Sequence, residues 1–83
     1  MKIALVGYGK MGHMLEQSAV SFGHTVVATV DVFAADASVK VPEGDGKAVA
    51  DAVAASGAEG VIEFTHPASV MGNIAALLPL KLP

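Results

Sequence analysis

Three short apolar runs recur along the chain, and each is followed by a segment in which apolar residues have helical spacing. The runs are KIALV, TVVATV and VIEF, at residues 2–6, 25–30 and 61–64. Short continuous apolar runs rich in branched residues are typical of strands buried in a parallel sheet. The pattern therefore predicts three strands.

The first segment between these runs predicts a helix that begins near Met11. Its apolar residues follow the spacing of one helix face, at Met11, Met14, Leu15, Ala19 and Phe22. Gly23 stands where a left-handed residue would end the helix. We expect this face, including both methionines, to be buried.

Two more helices are predicted further along. KAVADAVAAS, at residues 47–56, is rich in alanine and is followed by Gly57. The third helix opens at Pro67, where a fixed φ and a missing N–H are tolerated, and it stops at Pro79. Its apolar side consists of Val70, Ile74, Leu77 and Leu78. The looser stretch DVFAADASVKVPEGDGK, residues 31–47, is predicted to contain a loop in which Glu43 and Asp45 are solvated.

The resulting order is β-α-β-α-β-α. Strands that alternate with helices predict an α/β fold in which a parallel sheet is flanked by helices through right-handed crossovers. The chain has 83 residues, of which 53% are hydrophobic and only 5% aromatic, as expected of packed α/β structure. This length corresponds to one small domain or part of a larger one.

Charge and composition exclude several classes of function. The net charge of −3 arises from eight acidic residues and five lysines, with no clustered positive charge for a nucleic-acid surface. No apolar stretch approaches the roughly 20 residues of a membrane span, and no signal peptide is recognisable. The absence of cysteine suits a reducing, cytoplasmic setting. The three histidines have no metal-ligand spacing, and we expect His13 and His24 to be solvated surface residues.

The first strand runs into GYGKMG, residues 7–12, which is a G-x-G-x-x-G motif between a strand and a helix. In a dinucleotide site Gly7 permits the sharp turn, Gly9 lets pyrophosphate approach, and Gly12 allows close packing of helix and strand. The helix N-terminus offers free N–H groups to the phosphates. Asp31, at the end of the second strand, can accept hydrogen bonds from the adenosine ribose. The alternative is a glycine turn that binds nothing.

A second candidate loop follows the third strand, in GVIEFTHPASV at residues 60–70. Ligands of doubly wound sheets lie at the carboxyl ends of the strands, so this loop should lie beside the glycine loop. Thr65 offers a hydroxyl, and Phe64 offers a flat apolar surface for a ring. The alternative for Thr65 and His66 is helix capping.

These segments together resemble the N-terminal part of dihydrodipicolinate reductase. The resemblance rests on KIALVGYGKMG, on Asp31, and on VIEFTHP followed by a helix with Asn73; residues 32–58 contribute little. Two departures are a glycine loop one residue shorter than in many members and Glu63 where aspartate is usual. The resemblance implies a Rossmann-like NAD(P)-binding domain.

The resemblance also implies an activity. Such reductases use NADH or NADPH to reduce a cyclic dicarboxylate in the lysine (diaminopimelate) pathway. In the family the catalytic histidine and lysine lie in a C-terminal domain, which also builds most of a tetramer. We therefore expect residues 1–83 to be a partial N-terminal cofactor domain, ending before the fourth strand and inactive alone.

Carried over residue by residue, the resemblance implies a cofactor site in three segments. The phosphate loop consists of Gly7, Tyr8, Gly9, Lys10, Met11 and Gly12; Asp31 is the ribose acid; Phe64 and Thr65 lie near the nicotinamide ribose. No catalytic residue and no metal ligand is expected in this chain.

Cofactor preference follows from charge. Asp31 favours the free hydroxyls of NADH and repels the 2′-phosphate of NADPH, and Val32 and Phe33 follow it where an NADP site normally has an arginine. Lys10 opposes this effect, since it occupies the loop position where the family that the chain resembles often has an arginine that can reach that phosphate. We expect NADH to be preferred modestly, with NADPH also accepted.

Two other functions remain open at this point. One is a non-catalytic module that senses a dinucleotide and signals to a partner protein. The other is a different G-x-G-x-x-G reductase, which would share GYGKMG but would not account for VIEFTHP.

Overall fold

A parallel sheet of four strands, in the order β3-β2-β1-β4, organises the molecule. The computed structural model describes residues 1–65 and 67–80, with the backbone alone for 67–71. The elements are β1 (Lys2–Val6), α1 (Lys10–Ser21), β2 (Thr25–Asp31), β3 (Val39–Lys40), α2 (Gly46–Ser56), β4 (Gly60–Glu63), α3 (Pro67–Leu77) and a 3₁₀ turn (Leu78–Leu80). The predicted Rossmann-like α/β fold is confirmed.

The prediction of three strands was wrong by one, because β3 lies within the stretch expected to be a loop. It pairs in parallel with β2, with Val30 opposite Val39 and Asp31 opposite Lys40. Side chains extend the pairing: the Ser38 N–H donates to Thr29 Oγ1 at 2.7 Å, and the Thr29 N–H donates to Ser38 Oγ at 2.9 Å. A strand of two residues is too short to show alternation of apolar and polar positions. Only its pairing with β2 in the folded structure defines it.

The central strand β1 is buried on both faces. Ala4 and Val6 belong to the larger apolar cluster, with Val30, Val49 and Val53, on the side of α2. Ile3 and Leu5 belong to a smaller cluster on the side of α1, with Ala19. This burial confirms the interpretation of KIALV as a core strand.

The predicted buried face of α1 was largely wrong. Met11, Met14 and Phe22 are 45%, 54% and 81% exposed. Ala19 is buried as predicted and Leu15 packs partly buried against the smaller cluster, while Gly12, outside the predicted face, is buried as well. Small residues allow the helix to approach the sheet closely, and this rotates the methionines toward solvent.

The ends of the helices follow the glycine and proline signals. Gly57, directly after α2, and Gly23, two residues after the end of α1, both have left-handed φ values, of +75° and +85°. Asp45, predicted to be solvated, is exposed but also caps α2, because its carboxylate accepts from the Ala48 N–H at 3.0 Å. In the third helix the expected start at Pro67 is confirmed.

The apolar side predicted for the third helix is only partly buried. Leu77 packs against the larger cluster, whereas Ile74 and Leu78 are 39% and 69% exposed. The side chain of Val70 lies outside the described residues. The α-helical backbone ends at Leu77, so Pro79 falls within the 3₁₀ turn that follows.

Candidate functional site

The carboxyl ends of three strands converge at one edge of the sheet. The Gly7 N–H donates to the Val30 carbonyl at the end of β2, at 2.7 Å, and the Phe64 N–H donates to the Val6 carbonyl at the end of β1, also at 2.7 Å. The glycine loop therefore lies between the end of β2 and the segment after β4. This juxtaposition is the one that the sequence predicted for the two candidate loops.

The three glycines of the loop have different reasons to be glycine. Gly7 has φ +105°, and a Cβ there would clash with the Phe64 carbonyl. A Cβ on Gly12 would lie 2.5 Å from the Gly7 carbonyl oxygen, which no real side chain tolerates. A Cβ on Gly9 would meet nothing within 4 Å. The fold therefore requires glycine at positions 7 and 12. At Gly9 the packing would accept a side chain, and the backbone there is accessible because none is present.

The N-terminus of α1 adjoins this open backbone. The helix begins at Lys10, directly after Gly9, and its first turn carries no acidic residue. The first N–H groups of a helix have no intrahelical partner, and the helix dipole places partial positive charge there. Lys10 and Met11 are both exposed beside it. These features suit an anionic group such as a pyrophosphate.

The ring of Tyr8 faces the protein. Tyr8 is 8% exposed, and its hydroxyl donates to Glu16 Oε1 at 2.5 Å. This hydrogen bond, together with burial, raises the pKa of Tyr8 to about 12. The phenol is thus neutral and hydrogen-bonded to α1. Tyr8 would therefore contact a ligand through its backbone.

His13 lies at the surface, as the sequence predicted, with 41% of its side chain exposed, but it also contacts three residues of the protein. Its Nδ1 lies 2.8 Å from the Gly9 carbonyl oxygen, and its Nε2 lies 2.6 Å from Asp36 Oδ2. Its ring stacks on Tyr8, with 3.9 Å between the ring centroids. The hydrogen bonds to Gly9 and then to Asp36 raise the pKa of His13. Asp36 lies in the loop after β2, and no spacing in the sequence could have indicated this contact.

The other histidine with a described environment lies at the opposite end of α1. The amino group of Met1 lies 3.2 Å from Nδ1 of His24. His24 is half-buried and belongs to the amino edge of the sheet, away from the glycine loop.

Asp31 closes β2 at the same edge as the glycine loop. Its Oδ2 accepts from the Ala34 N–H at 2.7 Å, which leaves Oδ1 available. Lys40 is the register partner of Asp31 in β3, so a cation stands in the neighbouring strand beside this carboxylate. This pairing was not predicted from the sequence, because β3 was not recognised there.

A cleft of about 350 Å³ opens beside Asp31. Its lining includes Val30, Asp31, Phe33, Val49, Thr65 and Asn73. Asp31 and Thr65, which are far apart in the sequence, thus border one concave surface. An aromatic ring is available there, since Phe33 is 76% exposed.

The Thr65 side chain is held by two neighbours. Its hydroxyl and its N–H both donate to Glu63 Oε1, at 2.6 and 2.7 Å, and the buried Asn73 amide donates to the hydroxyl at 3.2 Å. Glu63 Oε2 is buried without a hydrogen-bond partner among the described residues. The sequence pointed to Thr65 but did not predict that Glu63 and Asn73 orient it.

Phe64 presents an apolar surface beside Thr65, with 54% of the residue exposed. His66, named as a capping candidate, lies outside the described residues. Within the described ranges, no cluster of three or more acidic and histidine side chains could hold a metal ion. Among the same residues, no helix is long and apolar enough to cross a membrane.

Comparison with known proteins gives one match. The family model described as "Dihydrodipicolinate reductase, N-terminus" matches residues 1–83. No curated protein and no solved structure matches the chain.

The contrast between two helical glycines gives a test of the packing at the glycine loop. Gly12→Ala should lower the free energy of unfolding by about 1–2 kcal/mol, because overpacking against the Gly7 carbonyl exceeds the gain in helix propensity. Gly72→Ala is the matched control: it lies in α3 with open space around its Cβ, and should stabilise by about 0.5–1 kcal/mol. Urea unfolding followed by circular dichroism measures both. Equal stabilisation by the two variants would contradict the close approach.

Proposed function

Because this chain belongs to the dihydrodipicolinate reductase N-terminal family, an oxidoreductase family whose domain binds a dinucleotide, we propose that it is the NAD(P)H-binding part of such a reductase. The observation that carries the proposal is the bare backbone of Gly9 at the N-terminus of α1, with Asp31 at the adjoining strand end. A phosphate group and a ribose need these two features at one edge of a parallel sheet.

In this proposal the N–H groups at the start of α1 bind the pyrophosphate. Gly9 lets the phosphates approach the backbone because no side chain intervenes. Lys10 adds a mobile positive charge on the exposed side of the loop. Tyr8 contributes through its backbone, since its hydroxyl is bonded to Glu16.

Asp31 binds the adenosine ribose through its carboxylate. Its bond to the Ala34 N–H fixes the carboxylate and leaves Oδ1 for a ribose hydroxyl. The negative charge opposes a 2′-phosphate, whereas Lys10 and Lys40 favour one. Exposed charge pairs are each worth about 0.2–1 kcal/mol. NADH is therefore preferred modestly, and NADPH is also accepted.

Phe64 and Thr65 lie on the nicotinamide side of the site. When bound, NAD(P)H supplies a hydride from its nicotinamide ring. Phe64 packs against an apolar ring face, and Thr65 orients a polar group. Since the Thr65 hydroxyl already donates its proton to Glu63, it offers a ligand an acceptor lone pair and no donor.

The family resemblance supports the remaining parts of the proposal. The substrate is a small cyclic dicarboxylate of lysine biosynthesis, and the histidine and lysine that act on it belong to a C-terminal domain that also builds a tetramer. The role of residues 1–83 is then to bind the cofactor and to orient it, in the cytoplasm.

Replacing Gly9 tests the binding role directly. Gly9→Val should weaken NADH binding at least tenfold, because a branched side chain would occupy the space that the pyrophosphate needs; a tenfold loss corresponds to about 1.4 kcal/mol. Isothermal titration calorimetry measures the dissociation constant, with circular dichroism to verify folding. Ala54→Val, an exposed position in the last turn of α2, is the control and should bind normally. Unchanged affinity in folded Gly9→Val would remove the loop from the site.

Charge substitutions test the cofactor preference. The wild-type chain should bind NADH more tightly than NADPH by less than about fivefold. Asp31→Ser should shift the ratio of the two dissociation constants toward NADPH by removing the repulsion, and Lys10→Ala should weaken NADPH more than NADH. Asp51→Ser, at an exposed residue of α2 that pairs with Lys47, is the control. A strong wild-type preference for NADPH would contradict this role of Asp31.

A further inference from the structure

His13 bridges two loops that are distant in the sequence. One ring nitrogen faces the Gly9 carbonyl oxygen at 2.8 Å, and the other faces the Asp36 carboxylate at 2.6 Å. A carbonyl and a carboxylate can only accept hydrogen bonds, so both ring nitrogens must donate. Neutral imidazole has a single N–H. The observed geometry therefore requires the doubly protonated, positively charged ring.

The surroundings of His13 favour this charged form. Asp36 approaches from the loop after β2, and Glu16 lies one turn along α1, where it accepts from the Tyr8 hydroxyl. Tyr8 stacks against the ring at an interplanar angle of 24°, which places a cation over an aromatic face. The hydrogen bonds to Gly9 and then to Asp36 raise the pKa of His13, and the hydrogen bond from His13 lowers the pKa of Asp36.

The contact spans the two halves of the proposed cofactor site. Gly9 belongs to the loop for the pyrophosphate, and Asp36 belongs to the loop that begins at the ribose acid Asp31. The bond from the Ala34 N–H to Asp31 stiffens the start of that second loop. Side-chain contacts thus run from Gly9 through His13 to Asp36, and the loop between Asp36 and Asp31 has its own bonds, from the Ala37 N–H to the Ala34 carbonyl and from the Ala34 N–H to Asp31.

We propose that protonated His13 is a positioning residue, which ties the loop carrying Asp36 to the phosphate loop and so holds Gly9 and Asp31 at the separation that a dinucleotide needs. The inference rests on the proposed function. Loss of one ring proton leaves a nitrogen lone pair facing either the carbonyl or the carboxylate, so that one of the two hydrogen bonds is lost. The positive charge beside the phosphate site disappears at the same time.

The direction of the pH effect follows from the protonated state. Both hydrogen bonds of His13 form when the pH is below its raised pKa, and one of them is lost as the pH rises through that value. Cofactor binding should therefore weaken toward alkaline pH. If His13 served only the stability of the fold, replacing its side chain would not remove the pH dependence of cofactor binding.

Two measurements on the full chain test the inference. Proton NMR of the histidine ring, without cofactor, should give His13 a pKa above the ordinary value of about 6.5, and Asp36→Asn should lower it. Calorimetric titration of NADH from about pH 5.5 to 9 should show affinity falling by about two- to fivefold. His13→Gln should bind with the weaker, alkaline affinity at every pH. His24→Gln, at the other end of α1, should keep the wild-type profile.

Several results would overturn the inference. A His13 pKa at or below the ordinary value would show that the ring is neutral and that the tie is absent. NADH binding whose pH dependence persists in His13→Gln would refute the positioning role and leave the proposed function intact. Absence of NADH binding at every pH would refute the proposed function together with the positioning role.

Discussion

The close backbone contact between Gly7 and Gly12 is the constraint on which the candidate site depends. Because no side chain separates the turn after β1 from the first turn of α1, the helix begins directly over the carboxyl edge of the sheet. The same contact explains why α1 packs through Gly12 and Ala19, and why its methionines face solvent. One steric requirement therefore sets both the position of the helix N-terminus and the orientation of the helix.

The acidic residues near this edge of the sheet differ in the groups that they contact. Glu16 accepts from the Tyr8 hydroxyl, Asp36 faces His13, and Glu63 accepts from Thr65. Each of these carboxylates contacts a side chain of the protein, whereas Asp31 accepts from the Ala34 backbone N–H and borders the cleft at the end of β2. A chain with a net charge of −3 can still present an anion site, because Asp36 is paired with His13 and the first turn of α1 carries no acidic residue.

Sequence patterns predicted the features that arise from local physics. The alternation of strands and helices, the glycines that end α1 and α2, and the meeting of the two loops all follow from periodicity, turn chemistry and the topology of parallel sheets. The features that the sequence patterns did not predict depend on residues that folding brings together. The strand β3 consists of two residues defined by pairing with β2, and the contact between His13 and Asp36 joins a helix to a distant loop.

The face of α1 shows a different limit. Apolar spacing correctly indicated the helix and the packing of Leu15 and Ala19, but it wrongly predicted that Met11 and Met14 are buried, because the close approach at Gly12 turns them toward solvent. The hydrophobic pattern shows which side chains are apolar. It does not show how closely two backbones approach each other at a glycine. The orientation of Thr65 by Glu63 and Asn73 is hidden for a similar reason, since no spacing rule links these residues.

The central claim is that a dinucleotide binds across the carboxyl edge of the sheet, between the glycine loop and Asp31. Titration of NADH into the labelled chain, followed by amide N–H correlation spectra, tests it most directly. The account predicts that the largest shifts fall on the amides of Gly7–Gly12, Asp31 and Thr65, while Gly57 and Glu59 at the opposite edge remain unchanged. Shifts concentrated at that opposite edge, or no shifts at saturating NADH, would contradict it.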